Sequence, residues 1–95
     1  MAIVTLRYWA AAKEAAGIAE EAVSAGTLAE ALAAASGDGG SGGADQRDER
    51  NARLRAILVR SSFLVDGTPV GTRAPEAVPL GDGSVVEVLP PFAGG

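Results

Sequence analysis

The chain has 95 residues, with twelve acidic and eight basic side chains, so its formal net charge is −4, and it contains neither Cys nor His. This length supports one domain with one modest core, and the missing residue types exclude disulfides, a thiol nucleophile, a His general base and the usual zinc or iron sites. The acidic balance has the wrong sign for neutralising phosphates, so we expect no nucleic-acid partner.

The chain opens with a predicted strand over Ile3–Trp9, in which apolar and more polar residues alternate. The apolar side of that strand carries Val4, Leu6 and Tyr8. Ala10–Ala16 is rich in the best helix formers, and Gly17 supplies the left-handed residue that commonly ends a helix. Ala19–Ser24 has a weaker alternation, and we assign it as a second strand because the first strand needs a hairpin partner.

Thr27 and Glu30 form the sequence pattern of a capping box, in which each side chain accepts a hydrogen bond from the other residue's backbone amide. The pattern predicts a helix that begins at this point and ends near Ser36. Its apolar stripe, which should lie on the sheet, consists of Leu28, Leu32 and Ala35.

Gly37–Gly43 holds five glycines in seven residues and is predicted to be a flexible insertion. It lacks the Lys-Ser/Thr ending of a phosphate-binding P-loop. Asp45–Arg60 becomes apolar towards its end at helical spacing, which predicts a second long helix. Its arginines alternate with acidic residues, so we expect a solvated face rather than an anion site. Those arginines are Arg47, Arg50, Arg53 and Arg55.

The remaining strands are marked by turn signals. Ser62–Val65 is followed by Asp66-Gly67, a strong signal for a tight hairpin turn, and Pro69 confines the returning strand to an edge or a very short length. Gly71–Leu80, which contains Pro75 and Pro79, is predicted to be a loop. Ser84–Leu89 is rich in β-branched residues and predicts the last strand.

No apolar run approaches the roughly 20 residues that cross a bilayer, and no basic segment precedes the first strand. We therefore expect a cytoplasmic protein with no membrane partner. Lys13 is the one lysine, and nothing around it favours Schiff-base chemistry.

After the last strand the sequence reads Pro90-Pro91-Phe92-Ala93-Gly94-Gly95. The two prolines end sheet pairing and favour an extended backbone, and the glycines add no side chain, so this segment could enter a narrow tunnel in another protein. An inert, frayed terminus is the alternative.

Several motifs together resemble the ThiS/MoaD family of sulfur carriers, and within it the small subunits of molybdopterin synthase. The likeness extends over nearly the whole chain and is most specific at its end. The matching segments are residues 13–17, 27–32, 63–67, 79–83 and 89–95. The resemblance implies an α+β, ubiquitin-like β-grasp fold with a mixed sheet of about four to five strands and two to three helices. Residues 1–95 would form a single domain, with a flexible insertion at 37–50 and an extended tail at 90–95.

The resemblance also implies the chemistry. A ubiquitin-activating-type enzyme would use ATP to adenylate the Gly95 carboxylate, and sulfur would then replace AMP to give a thiocarboxylate. Gly94 and Gly95 would be the reacting end of the tail, with no metal and no stably bound cofactor. The chain would be a carrier subunit rather than a catalyst. The large subunit of molybdopterin synthase would be its partner in a heterotetramer, and cyclic pyranopterin monophosphate the sulfur acceptor.

A partner surface should flank such a tail, because a tunnel must receive it from a docked body with an apolar anchor. Trp9 and Leu89 are the candidates implied by the family likeness, although Trp9 could instead belong to the core. The partner-binding set is completed by Pro90, Pro91, Phe92 and Ala93.

Three alternatives stay open. The carrier could donate sulfur for thiamin thiazole formation, for cysteine synthesis or for sulfur insertion into a specialised metabolite. The chain could be a protein modifier that is joined to lysines, or a β-grasp interaction module with an inert tail.

Overall fold

The computed structural model describes residues 2–35 and 44–91. In chain order the regular elements are β1 (Ala2–Tyr8), α1 (Ala10–Ala16), β2 (Glu20–Ala25), α2 (Leu28–Ala34), α3 (Ala44–Arg60), β3 (Ser62–Val65), β4 (Thr68–Pro69), a 3₁₀ turn (Pro75–Ala77) and β5 (Val85–Leu89). The predicted insertion Gly37–Gly43 lies outside the described residues, and residues 44–50 of the wider predicted insertion belong to α3.

The five strands form one mixed sheet in the order β2-β1-β5-β3-β4. β1 pairs with β5 in parallel, and the other three pairings are antiparallel. The last strand therefore lies at the centre of the sheet, between the first strand and the second hairpin. This topology confirms the predicted α+β, ubiquitin-like β-grasp fold.

Local signals in the sequence set the ends of these elements. The Thr27 capping box is complete, since the hydroxyl accepts from Glu30 N at 3.2 Å and the Glu30 carboxylate accepts from Thr27 N at 3.1 Å. Gly17 ends α1 with a φ of 78°. Asp66 and Gly67 have φ of 50° and 84°, as a type I′ hairpin turn requires.

The core lies between one face of the sheet and the helices. Alternate residues of β1 point inward and are buried, as the alternation predicted, and α1 contributes three buried alanines to the same cluster. Their small side chains let α1 pack closely within this cluster, mainly against α3. The largest fully buried side chains are Val4, Leu6, Tyr8, Leu28, Leu54, Val86 and Val88.

Arg55 was predicted to lie on a solvated face. Its side chain is exposed, but it also forms structural hydrogen bonds to α2. Its guanidinium donates to the backbone carbonyls of Leu32, Ala33 and Ala35, the last two at 2.7 Å. These carbonyls belong to the last turn and the C-cap of α2, where helix carbonyls have no partner within the helix. One side chain of α3 thus caps α2, because the two helices meet at this point in the fold.

The buried Tyr8 carries one polar group into the core. Its hydroxyl donates to the Glu21 carboxylate on β2. Burial, with a further contribution from Glu21, raises the pKa of Tyr8 far above its ordinary value. The phenol therefore stays protonated at all physiological pH values, and it serves as a hydrogen-bond donor within the fold rather than as a reactive group.

Candidate functional site

The chain leaves the sheet at one end of its central strand, β5. β5 runs from the centre of the sheet into Pro90, which is buried, and then into Pro91, which is exposed. Both prolines line a small cavity of about 130 Å³ with Ala11 of α1 and with Ile57 and Arg60 of α3. Pro90 is therefore anchored against the two helices, and the chain leaves the domain at Pro91.

Trp9 lies beside this exit point. It follows β1 directly, and its backbone amide donates to the carbonyl of Val88 on β5 at 3.2 Å. Its indole Nε1 donates to Oε1 of Glu87 at 3.2 Å. The side chain is 46% exposed, so Trp9 is not a core residue. Two hydrogen bonds to β5 hold a large, partly exposed aromatic group next to the strand that carries the tail.

The two faces of the sheet differ in what covers them. Residues on one face pack under the helices, and their neighbours in the sequence point to the other face, which we call the open face. Strand register places these side chains on the open face: Ile3, Thr5, Arg7, Glu20, Ala22, Ser24, Ser62, Leu64, Val85, Glu87 and Leu89. All of them are exposed or half-buried, so this face is available to a partner.

Apolar side chains are concentrated on the open face and at its margin. Among the described residues, the exposed large apolar side chains are Ile3, Trp9 and Val59, and the first two belong to this region. Leu89 is half-buried on the same face and lies opposite Ser62 of β3. Ile3 lies near the opposite end of β1, whereas Trp9 and Leu89 directly follow the paired residues Tyr8 and Val88 and are neighbours. Single exposed apolar residues are common on protein surfaces, but adjacent ones beside the exit of the chain are typical of an interaction site.

Charged groups on the open face are paired with neighbours. Arg7 Nε lies 3.3 Å from Glu20 Oε2 across the β1–β2 pair, with both side chains about half exposed. An exposed pair of this kind adds little to stability. Glu87 accepts from Trp9, so its carboxylate orients the indole. The face therefore combines apolar contact area with oriented polar groups, as interfaces between proteins commonly do.

The described residues bring part of the predicted site together. Trp9, Leu89, Pro90 and Pro91 all lie around the end of β5, whereas Phe92–Gly95 lie outside the described residues. Sequence reasoning missed Glu87 as the group that holds Trp9. The alternation in residues 84–89 places Glu87 beside Leu89, but only the parallel β1–β5 pairing brings it to Trp9.

Two further features are absent from residues 2–35 and 44–91, a metal-binding group of side chains and a membrane-spanning helix. There, no three His, Cys, Asp or Glu side chains are grouped as a metal ion would require. Nor do these ranges contain a helix with the length and apolar character to span a membrane.

No protein-family model matches the sequence, and no curated protein matches it either. Solved structures do match. Small archaeal modifier protein 1 of Methanosarcina acetivorans has a TM-score of 0.71 at 21% identity, over 100% of this chain and 98% of its own. Small archaeal modifier protein 1 of Haloferax volcanii has a TM-score of 0.67 at 17% identity, over 98% and 99%.

A third match is the complex of subunits 1 and 2 of the molybdopterin-converting factor from Helicobacter pylori. One of its chains has a TM-score of 0.62 at 22% identity, over 98% of this chain and 99% of its own. At these identities the likeness is one of fold, and it covers at least 98% of both chains in each comparison. A β-grasp fold shared with modifier proteins and a molybdopterin-converting factor is consistent with the ThiS/MoaD resemblance in the sequence.

Proposed function

We propose that this chain is a sulfur carrier that acts as the small subunit of molybdopterin synthase in molybdenum cofactor biosynthesis. The Gly95 carboxylate is adenylated, converted to a thiocarboxylate and used to donate sulfur to cyclic pyranopterin monophosphate. The observation that carries the proposal is the path of β5, which is fixed at the centre of the sheet and anchored through Pro90 before a Gly-Gly segment.

The proposed chemistry needs little from the carrier itself. A partner enzyme of the ubiquitin-activating type joins the carboxylate to the α-phosphate of ATP, and pyrophosphate leaves. A sulfide-equivalent nucleophile then attacks the acyl carbon, the carbon–oxygen bond to AMP breaks, and the thiocarboxylate forms. These steps require ATP and catalytic groups in the partner, which suits a chain that has no Cys and no His.

The open face is the proposed docking surface for the large subunit. Trp9 and Leu89 supply apolar area beside the exit of the tail, and Glu87 fixes the indole. Large aromatic groups near the centre of an interface commonly dominate its affinity. Docking on this face would direct residues 92–95 into the partner. The likeness to a protein solved as a complex of subunits 1 and 2 supports a large-subunit partner.

A second candidate function is protein modification, in which the Gly95 acyl group is joined to a lysine of another protein. The full-length likeness to small archaeal modifier protein 1 favours it. Carriers for thiamin thiazole, cysteine or a specialised metabolite would use the same first steps with another acceptor.

The test separates these functions by their products. The purified chain is incubated with an activating enzyme, ATP and a sulfur donor, and its intact mass is measured. We expect one oxygen to be replaced by one sulfur. Transfer is then measured after addition of the large subunit and cyclic pyranopterin monophosphate. A thiocarboxylate that fails to sulfurate this acceptor would move the assignment to another pathway, and lysine-linked conjugates in cell extract would favour the modifier.

A variant series tests whether the tail enters a confined site. Gly94→Ala should slow single-turnover sulfur transfer from preformed thiocarboxylate, and Gly94→Val should slow it further, because a β-branched side chain is bulkier and stiffer. Ala93→Ser is the matched control, one residue further from the reacting carbon. Equal rates in the wild type and these three variants would contradict insertion of the tail into a confined site and favour the inert terminus.

A further inference from the structure

The two edges of the sheet are protected to different degrees. The edge strand β4 has two residues, and one of them is Pro69, which has no backbone N–H. The opposite edge strand β2 has six residues and no proline. Short strands and prolines are among the devices that prevent an edge from pairing with another chain. Only the β4 edge has both of these devices.

The register of the β1–β2 pair identifies the backbone groups that face outward from β2. Tyr8 N donates to the carbonyl of Ala19 at 2.8 Å, and hydrogen-bonded pairs in an antiparallel ladder recur at every second residue. The residues between them turn their N–H and C=O groups away from β1. These residues are Glu20, Ala22 and Ser24.

The outward groups are open to another strand. All three side chains are exposed, and no turn, loop or cap hydrogen bond within the described ranges uses their backbone groups. They offer an added strand three donors and three acceptors in the regular spacing of a β-ladder. We infer that this edge pairs antiparallel with β2 of a second copy of the chain, which joins the two sheets into one.

The sequence of β2 avoids opposed carboxylates in two twofold registers, one centred on Ala22 and the other on Val23. In a twofold pairing centred on Ala22, that small side chain faces its own copy, Glu20 faces Ser24, and Glu21 faces Val23. No carboxylate lies directly opposite another carboxylate. Centring the pair on Glu20 or on Glu21 would place two carboxylates face to face. The Ala22 register pairs all three outward residues, whereas the Val23 register pairs only Ala22 with Ser24, because Gly26, which would face Glu20, already uses its N–H and C=O in bonds to Glu30 and Leu80.

This pairing is compatible with the proposed function and does not depend on it. The second copy extends the sheet in its own plane, so the open face and the exit at Pro91 stay uncovered. Two short strands bury less than the roughly 1,200 Å² typical of stable interfaces. We therefore expect a reversible dimer with a dissociation constant on the order of 0.1 mM.

Sedimentation equilibrium of the full chain, from about 10 μM to about 1 mM, measures this association. The decisive variants change the residue that faces Glu20 of the second copy. Ser24→Lys creates two opposite-charge pairs and should tighten the dimer about tenfold, whereas Ser24→Glu creates two like-charge pairs and should weaken it about tenfold. Thr68→Lys and Thr68→Glu on the β4 edge change the net charge equally and should have much smaller effects.

Ala22→Pro tests the edge itself. It removes an N–H that points away from β1, so the β1–β2 ladder keeps its hydrogen bonds and thermal unfolding should change little. We expect this variant to stay monomeric at about 1 mM. Three results would overturn the inference: a wild-type chain that is monomeric throughout, Ser24 variants that behave like the Thr68 controls, or a folded Ala22→Pro chain that still dimerises.

Discussion

The two faces of β5 show how one strand serves both the fold and the proposed interaction. Val86 and Val88 point inward and are fully buried, whereas Val85, Glu87 and Leu89 point to the open face and are half-buried. Inward residues are constrained by packing against the helices. Outward residues are not packed under the helices, so their exposed surface is available to a partner, with the Glu87 carboxylate accepting from Trp9. Substitutions on the inward face should therefore change stability, and those on the open face should change binding.

The largest effect is expected at the tail, beyond both faces. Removal of Gly95, or addition of one residue after it, should abolish thiocarboxylate formation, because the reacting carboxylate is lost or displaced. No described core residue lies beyond Pro90, so thermal unfolding should be unchanged. Intact-mass analysis and a melting curve on the same sample check both parts. A truncated chain that still accepts sulfur would refute the assignment of Gly95.

Leu6→Ala should destabilise the protein by about 2–5 kcal/mol, because it removes a fully buried side chain and leaves a cavity. Leu89→Ala is the matched control on the open face, with an expected loss below about 1 kcal/mol. Urea unfolding measures both. Similar losses from the two variants would mean that the open face is part of the core.

Arg55→Ala should cost about 1–3 kcal/mol, since the carbonyls of Leu32, Ala33 and Ala35 lose their charged donor. Arg53→Ala removes an exposed arginine of the same helix and should be nearly neutral. The comparison uses urea unfolding at one pH. Equal stability of the two variants would show that Arg55 does not cap α2.

Trp9→Ala should weaken binding to the large subunit by at least about tenfold, because it removes the largest exposed apolar group at the open face. Ile3→Ala, further from the exit of the tail, should weaken it less. Titration calorimetry gives the affinities, and circular dichroism verifies that both variants fold. An unchanged affinity for Trp9→Ala would place the docking surface elsewhere.

Shortening Gly37–Gly43 by about half should have the smallest effect, with a change in unfolding free energy near 0.6 kcal/mol or less, because loop closure depends weakly on length. Sulfur transfer should be nearly unchanged. A large loss of transfer without loss of stability would identify the insertion as a docking element.

The sequence predicted most of the fold because its signals are local. The Thr27–Glu30 capping box, Gly17 and the Asp66-Gly67 turn each act through neighbouring backbone groups, and each lies where it was predicted. The role of Arg55 and the contact between Trp9 and Glu87 were not predicted. Both join residues that are distant in the sequence, so they depend on topology rather than on local pattern.

The candidate site was predicted unevenly for the same reason. Leu89 and Trp9 were named from the family likeness, and whether Trp9 belongs to the core was left open. Exposure of Trp9 depends on what packs against the end of β1, which the local sequence does not determine. Burial of Pro90 was also unexpected in a segment read as an extended tail. Pro90 is buried because α1 and α3 pack near the end of β5. No local sequence pattern predicts this packing.

The central position of β5 makes folding depend on the end of the described chain. Until residues 85–89 are synthesised, the β1–β2 pair and the β3–β4 hairpin lack the strand that joins them into one sheet. The contact between β1 and β5 also spans most of the sequence, and such nonlocal pairing slows folding. A prematurely terminated chain would thus be left unfolded and open to proteolysis. Under the proposed function, a chain that lacks the segment leading to the tail would therefore not reach the folded state that a partner recognises.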